Sequence, residues 1–238
     1  AIITLHDQLQ RPNILISVPG FEEFSDLLEE LVFLGIPINI SLICSHDQYI
    51  NAAEVYMRGI ERRMKKGLNP VVSVFASVSI CALAAEFSKD LSRDNVIQVS
   101  IARARKIYKS LRILHTSQKW ERAYNGGARF LKVIWINCLD EKPADYWATI
   151  SRHLLAAFTI SSIPEINLEK FIKNIQEAEP MPENGDDCDK ILAEFQKSGL
   201  DFHNIAENLQ KRLAELQVKT WINLLDMLAK KSASLIPN

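Results

Sequence analysis

Metal, nucleotide and triad chemistry each leave spaced signatures in a chain, and this sequence carries few of them. Its four cysteines, Cys44, Cys81, Cys138 and Cys188, stand far apart with no CxxC pair. That spacing fits neither a dense disulfide scaffold nor a structural zinc site. Cys44 and Cys138 each close an apolar run, and His46 follows Cys44 by two residues. A metal joining them competes with reduced, half-buried thiols, and the thiols are the better reading. They point to a reducing compartment, the cytoplasm or an organelle stroma. The five histidines are dispersed, and GxGxxG, P-loop, HExxH and GxSxG patterns are all missing, so nucleotide-fold, zinc-protease and hydrolase chemistries lack support. Arg58, Arg62, Arg63, Lys65 and Lys66 cluster, but Glu54 and Glu61 interleave with them. A solvated helix end explains that cluster better than an RNA surface. With 28 Lys+Arg against 29 Asp+Glu and only 8% aromatics, a nucleic-acid partner is not expected. No cofactor or metal is called for.

The elements that would position any site alternate between short β-rich runs and longer helical stretches. Strands are predicted at residues 13–18 (NILISV), 38–43 (INISLI), 71–76, 130–137 (FLKVIWIN) and 158–161. Between them, Phe21, Phe24, Leu27, Leu28, Leu31 and Leu34 fall at helical spacing, with Gly35 as the stop. A second helix, capped by Asp47, runs to the basic end at 62–66. Further helices are predicted at 81–91, 96–114, 144–155, 168–175, 189–197, 202–213 and 218–228. Strands this apolar, separated by helices, argue for a parallel sheet covered by helices. The apolar runs are strand-length, so no membrane span is expected. The chain reads as one domain, 1–238. It opens at Ala1 rather than Met, which suggests a processed or truncated product.

Several segments resemble the transaldolase family of (β/α)8 barrels. RPNILISVPGFEEFSDLLEELVFLGIPINISLICS (11–45) resembles the stretch carrying that family's fourth and fifth strands, RPN-hydrophobic-IKIPAT and GI-x-VN-[VL]-TLLFS. YINAAEVYMRGIERR (49–63) resembles its YE-x-x-x-x-AYL-x-GLE helix. PVVSVFASVSICAL (70–83) has the shape of the sixth strand, SVASFFVSR-hydrophobic-D. ARARKIYKSLRILHTSQKWERAYNGGARFLKVIWIN resembles the following helix, a W-E segment and the seventh strand, and FTISSIPEINLEKF the eighth. The resemblance implies a transaldolase-like TIM barrel that is incomplete, with the first three β/α units absent from this chain.

It also implies a degraded site. Ser17 stands at the position of the family's Schiff-base lysine, and a hydroxyl cannot form an imine with a ketose. Asn39 and Ser41 match a retained Asn and Thr, and they should face one barrel interior with Ser17. Ala76 stands where the family has a substrate-contacting Ser. Cys81 replaces a phosphate-binding Arg, and a thiol cannot reproduce a bidentate guanidinium. Three lysines are weighed as substitutes: Lys132 at the start of a strand and so at the wrong end of a barrel, Lys89 on the outer helical shell, and Lys142 in the loop after the seventh strand. The implied function is an inactive transaldolase-like structural or binding subunit of a larger assembly. The alternative is an active transaldolase moving dihydroxyacetone units between sugar phosphates of the pentose-phosphate pathway, or a fragment or trapping mutant of one. Five strands leave two sheet edges and an open side, with Ile14, Ile16, Ile40 and Val74 expected to face water there. A protein partner or self-association is expected to cover that side, with a sugar phosphate as the small ligand.

Overall fold

A computed structural model describes residues 2–9, 11, 13–136, 149–176 and 178–235. Cys138 and Lys142 lie outside the described residues. After helix α1 (Ile2–Leu9), the β-branched runs form strands β1 (Ile16–Pro19), β2 (Ile38–Ile43), β3 (Val74–Val78), β4 (Lys132–Ile136) and β5 (Thr159–Ser162). All four pairings are parallel, and the strands lie in sequential order, β1 to β5. Every crossover therefore steps the same way. Right-handed crossovers that never reverse place their helices on one face of the sheet, as in the wall of a TIM-like barrel.

Burial follows that rule. Val18, Ile38, Ile40, Val74, Ala76, Val78, Val133 and Trp135 alternate onto the helix side, and all are buried. The opposite face carries Ser17, Asn39, Phe75, Ser77, Lys132, Ile134 and Ile160, and it is open at Ser17, Lys132 and Ile160. Two of the expected water-facing residues are thus misplaced: Ile40 and Val74 lie under the helices, at 0% and 1% exposure. Period two forces this result, because Ile40 cannot share a face with Asn39 and Ser41.

The helices are α2 (Ser25–Leu34), α3 (His46–Lys65), α4 (Ile80–Phe87), α5 (Arg93–His115), α6 (Gln118–Asn125), α7 (Leu168–Ile175), α8 (Cys188–Lys197) and α9 (Phe202–Leu235). Gly35 ends α2 with φ +84°, and its N–H returns to the Leu31 and Val32 carbonyls. The cap of α3 is Ser45, whose hydroxyl accepts from the Gln48 N–H; Asp47 sits in the first turn instead. The third strand begins later than the apolar run suggested, at Val74, three residues beyond Val71. The two helices expected after residue 202 form one continuous helix. The basic cluster also has a packing role. Glu29 of α2 accepts from Arg58 Nε at 2.6 Å and Arg62 Nη1 at 2.9 Å, tying α2 to α3. Burial pushes the Glu29 carboxyl up, yet the two guanidiniums prevail and hold it below its usual range. Where these helices cross, Gly59 is required: a Cβ there would lie 2.6 Å from Val32. Among the described residues no helix is long and apolar enough to cross a membrane.

Candidate functional site

On the open face of the sheet a polar row crosses three strands. Ser17 pairs with Asn39 in the β1–β2 register, and the Asn39 amide donates to Ser17 Oγ at 3.3 Å. Ser77 Oγ donates to Asn39 Oδ1 at 2.7 Å. Asn39 is therefore fixed from both ends, with its orientation set by a hydroxyl on either side. Ser41, two residues along β2 and 7% exposed, shares the face. The strands bring Ser17, Asn39 and Ser41 to one surface. Ala76 does not join them. It pairs with Ile40, is 0% exposed, and faces the helices. Ser77, one residue on, supplies the β3 hydroxyl, and a one-residue slip in a strand exchanges faces. Cys81 lies beyond the strand, half-buried in the first turn of α4.

The same register changes the standing of Lys132. Asn39 pairs with Phe75, and Phe75 with Lys132, so Lys132 lies in the cross-sheet row of Ser17 and on its face. Its side is open to solvent. Position within the strand had set it at the wrong end of the sheet; parallel register is fixed between strands, not within one, and could not be read from the run itself. Lys89 is exposed past α4 and pairs with Glu86 at 2.6 Å.

At the carboxyl ends of β1 and β2, where parallel α/β folds place their chemistry, a second network holds the backbone. Gln210 of α9, 5% exposed, donates to the Gly20 and Leu42 carbonyls, each at 3.1 Å. Its own amide oxygen accepts from Gln48 Nε2 at 3.0 Å, and Gln48 Oε1 accepts from the Cys44 N–H at 2.7 Å. Leu42 lies within a register irregularity and has φ +59°, in the left-handed region. A side chain there costs on the order of 1–3 kcal/mol, and the Gln210 bond to its carbonyl helps to hold it. Arg103 of α5 binds the next part of the same turn, donating to the Cys44 carbonyl at 2.8 Å. Neither Gln210 nor Arg103 was suspected from sequence. A polar residue on an apolar stripe, Ala206–Leu209–Gln210–Leu213, was the available signal for the first.

Cys44 is fully buried. His46 approaches Ser110 Oγ at 2.8 Å and Asp47 at 3.2 Å, and burial lowers its pKa. Among the described residues no three His, Cys, Asp or Glu side chains gather as a metal site would require. The face supplies hydroxyl and amide groups in a fixed row, suited to hydrogen bonding a polyhydroxylated ligand.

A family model described as Transaldolase/Fructose-6-phosphate aldolase matches residues 2–228. The chain is similar to a transaldolase of Neisseria gonorrhoeae, at 27% identity over 208 residues, covering 87% of this chain and 59% of the relative. It is also similar to transaldolases of a Parafrankia species, at 24% over 236 residues with 95% and 64% covered, and of Trichodesmium erythraeum, at 23% over 252 residues with 90% and 66% covered. The chain thus spans 59–64% of the length of the first two relatives.

Proposed function

The chain belongs to the transaldolase/fructose-6-phosphate aldolase family, and from that premise we propose that it is a catalytically inactive structural or binding subunit. In this reading its five β/α units correspond to strands four to eight of the family barrel. The observation that carries the reading is Ser17 in a hydrogen-bonded row where an amine would be needed. A ketose carbonyl attacked by the Ser17 hydroxyl gives at most a hemiketal, with the hydroxyl proton passing to the carbonyl oxygen. No iminium forms, so the electrons of a breaking carbon–carbon bond have no acceptor. Cys81 adds to this, because a half-buried thiol offers a phosphate no bidentate clamp. Asn39, Ser41 and Ser77 remain able to hydrogen-bond sugar hydroxyls, so a sugar phosphate is the small ligand we assign to the face. The open side, with Ile160 42% exposed, is the surface a protein partner or second copy would cover.

The test is borohydride reduction in the presence of fructose 6-phosphate, read by intact mass. The expected result is no added mass. A second reading, an active enzyme with a relocated amine, has one observation in its favour: Lys132 lies in the row of Ser17. A reduced adduct mapped to Lys132 would replace the first reading with the second.

A further inference from the structure

Away from the open face, the first turn of α3, the middle of α5, the end of α8 and the start of α9 line a half-open cavity of about 130 Å3. Arg103 lines it while only 7% exposed. A buried guanidinium is ordinarily neutralised by a carboxylate, since an unpaired buried charge is costly. Arg103 has none: among the described residues it makes no ion pair, and its one hydrogen bond runs from Nη2 to the Cys44 carbonyl. Its guanidinium carbon lies 4.9 Å from the Phe202 ring centre and 5.8 Å from that of Phe87. Aromatic faces and one carbonyl offset part of the desolvation and leave the Nε and Nη1 donors without an acceptor among the described residues. Burial lowers the Arg103 pKa to about 10, which still leaves the group charged at neutral pH.

The other walls match. Lys106 is one turn further along the same face of α5 and also lines the cavity, and its ammonium is 3.4 Å from Asp189. The N-terminus of α3, a 20-residue helix, contributes the positive end of its dipole. The acid at the rim, Asp47, also lines the cavity and lies close enough to support the Arg103 charge, but it is 85% exposed and turned toward His46 Nδ1, without a direct ion pair to Arg103. His203, also at the rim, pairs with Glu207 at 3.3 Å. At roughly 30 Å3 per water the space equals about four waters, enough for a tetrahedral oxyanion.

We propose that this cavity binds a phosphate group, with Arg103 as the buried anchor and Lys106 as its second cation. The group is either inorganic phosphate or the phosphate end of a small monoester. The site is built from the helix layer, so it stands or falls independently of the row on the open face.

The experiment is a titration of the full chain with inorganic phosphate at constant ionic strength, followed by thermal denaturation and by amide shifts at Ser45, His46 and Arg103. A parallel titration uses glycerol 3-phosphate. The expected result is a saturable rise in Tm with shifts confined to the cavity. Lys106→Gln, a half-exposed substitution that should fold, is expected to weaken affinity about fivefold or more, and Arg103→Lys further still. Tighter binding of glycerol 3-phosphate identifies the monoester as the source, and binding of inorganic phosphate alone identifies the free ion. No saturable response of the wild type up to about 50 mM, far weaker than useful binding, would overturn the proposal. Equal affinity in wild type and Lys106→Gln would do the same.

Discussion

Acid should unfold this protein partly through one histidine, and the size of the effect follows from its surroundings. His115 ends α5 with its ring centre 4.7 Å from Phe130, 5.0 Å from Phe158 and 5.4 Å from Trp120. Burial among these rings, with Arg112 nearby, lowers its pKa from 6.5 to about 4. Above pH 6.5 the imidazole is neutral in both the folded and the unfolded chain, so it contributes nothing to the pH dependence. Between 6.5 and about 4 the unfolded chain takes up a proton that the folded chain refuses, and stability falls with pH. At 1.36 kcal/mol per pH unit the limit is about 3 kcal/mol. His115 is half-buried rather than fully buried, which reduces the expected loss to roughly 2 kcal/mol.

Phenylalanine fills nearly the same space without a titratable nitrogen, so His115→Phe is the appropriate perturbation. Urea unfolding of both proteins at pH 7.5, 6.0, 5.0 and 4.5 gives their stability difference, in which every other acid-sensitive group cancels, His46 and His153 included. That difference should move in favour of the variant by roughly 2 kcal/mol from pH 7.5 to 4.5. A difference that stays constant across the range would refute the argument, and would mean that His115 is solvated or protonated in the folded chain.

Two further outcomes are expected. Gln210→Leu keeps the volume but strands the Gly20 and Leu42 carbonyls and the Gln48 amide; at about 1–3 kcal/mol for each group left unsatisfied, partly relieved by water, a loss of about 3 kcal/mol in urea unfolding is expected, and a loss under about 0.5 kcal/mol would show that the network does not hold the strand ends. If the open side needs a partner, the isolated chain should either associate in sedimentation or, where it stays monomeric, exchange fast through residues 13–18; a stable monomer with a slowly exchanging first strand would remove the need for a partner.

Much of the fold was legible because strands and helices here announce themselves by period. INISLI gave β2 with the same bounds as the structure, and the Phe21–Leu34 stripe with Gly35 gave α2 and its end. What escaped notice shares a physical cause, dependence on a neighbour in space. Ala76 and Ser77 are adjacent in sequence and opposite in facing, and only the pairing of Asn39 with Phe75 settles which one meets Asn39. Lys132 is likewise placed by β3, not by its own strand. Arg103 and Gln210 bind carbonyls 59 and 168 residues away, and no local pattern encodes such a bond. Asp47 was a reasonable cap for α3, but Ser45 two residues earlier begins the helix with better geometry for the Gln48 N–H.

The packed core and the polar row occupy opposite faces of the same strands, and this separation has a consequence at Ser17. Its neighbours Ile16 and Val18 point into the helix layer, where Val18 is 4% exposed, while Ser17 itself stands on the open face. A lysine at Ser17 would therefore project into solvent and displace no packed atom. We expect Ser17→Lys to fold with stability within about 0.5 kcal/mol of wild type, as surface substitutions generally do. The loss is confined to the Asn39–Ser17 hydrogen bond, long at 3.3 Å. The variant puts an amine into the row but supplies no guanidinium at Cys81. Aldol cleavage of fructose 6-phosphate should consequently remain close to background, even where borohydride now traps a small fraction of imine at position 17. A coupled assay for released glyceraldehyde 3-phosphate separates the outcomes. Efficient turnover by Ser17→Lys would mean that the nucleophile alone was missing, and the reading of this chain as a scaffold whose chemistry is degraded at several positions together would be wrong.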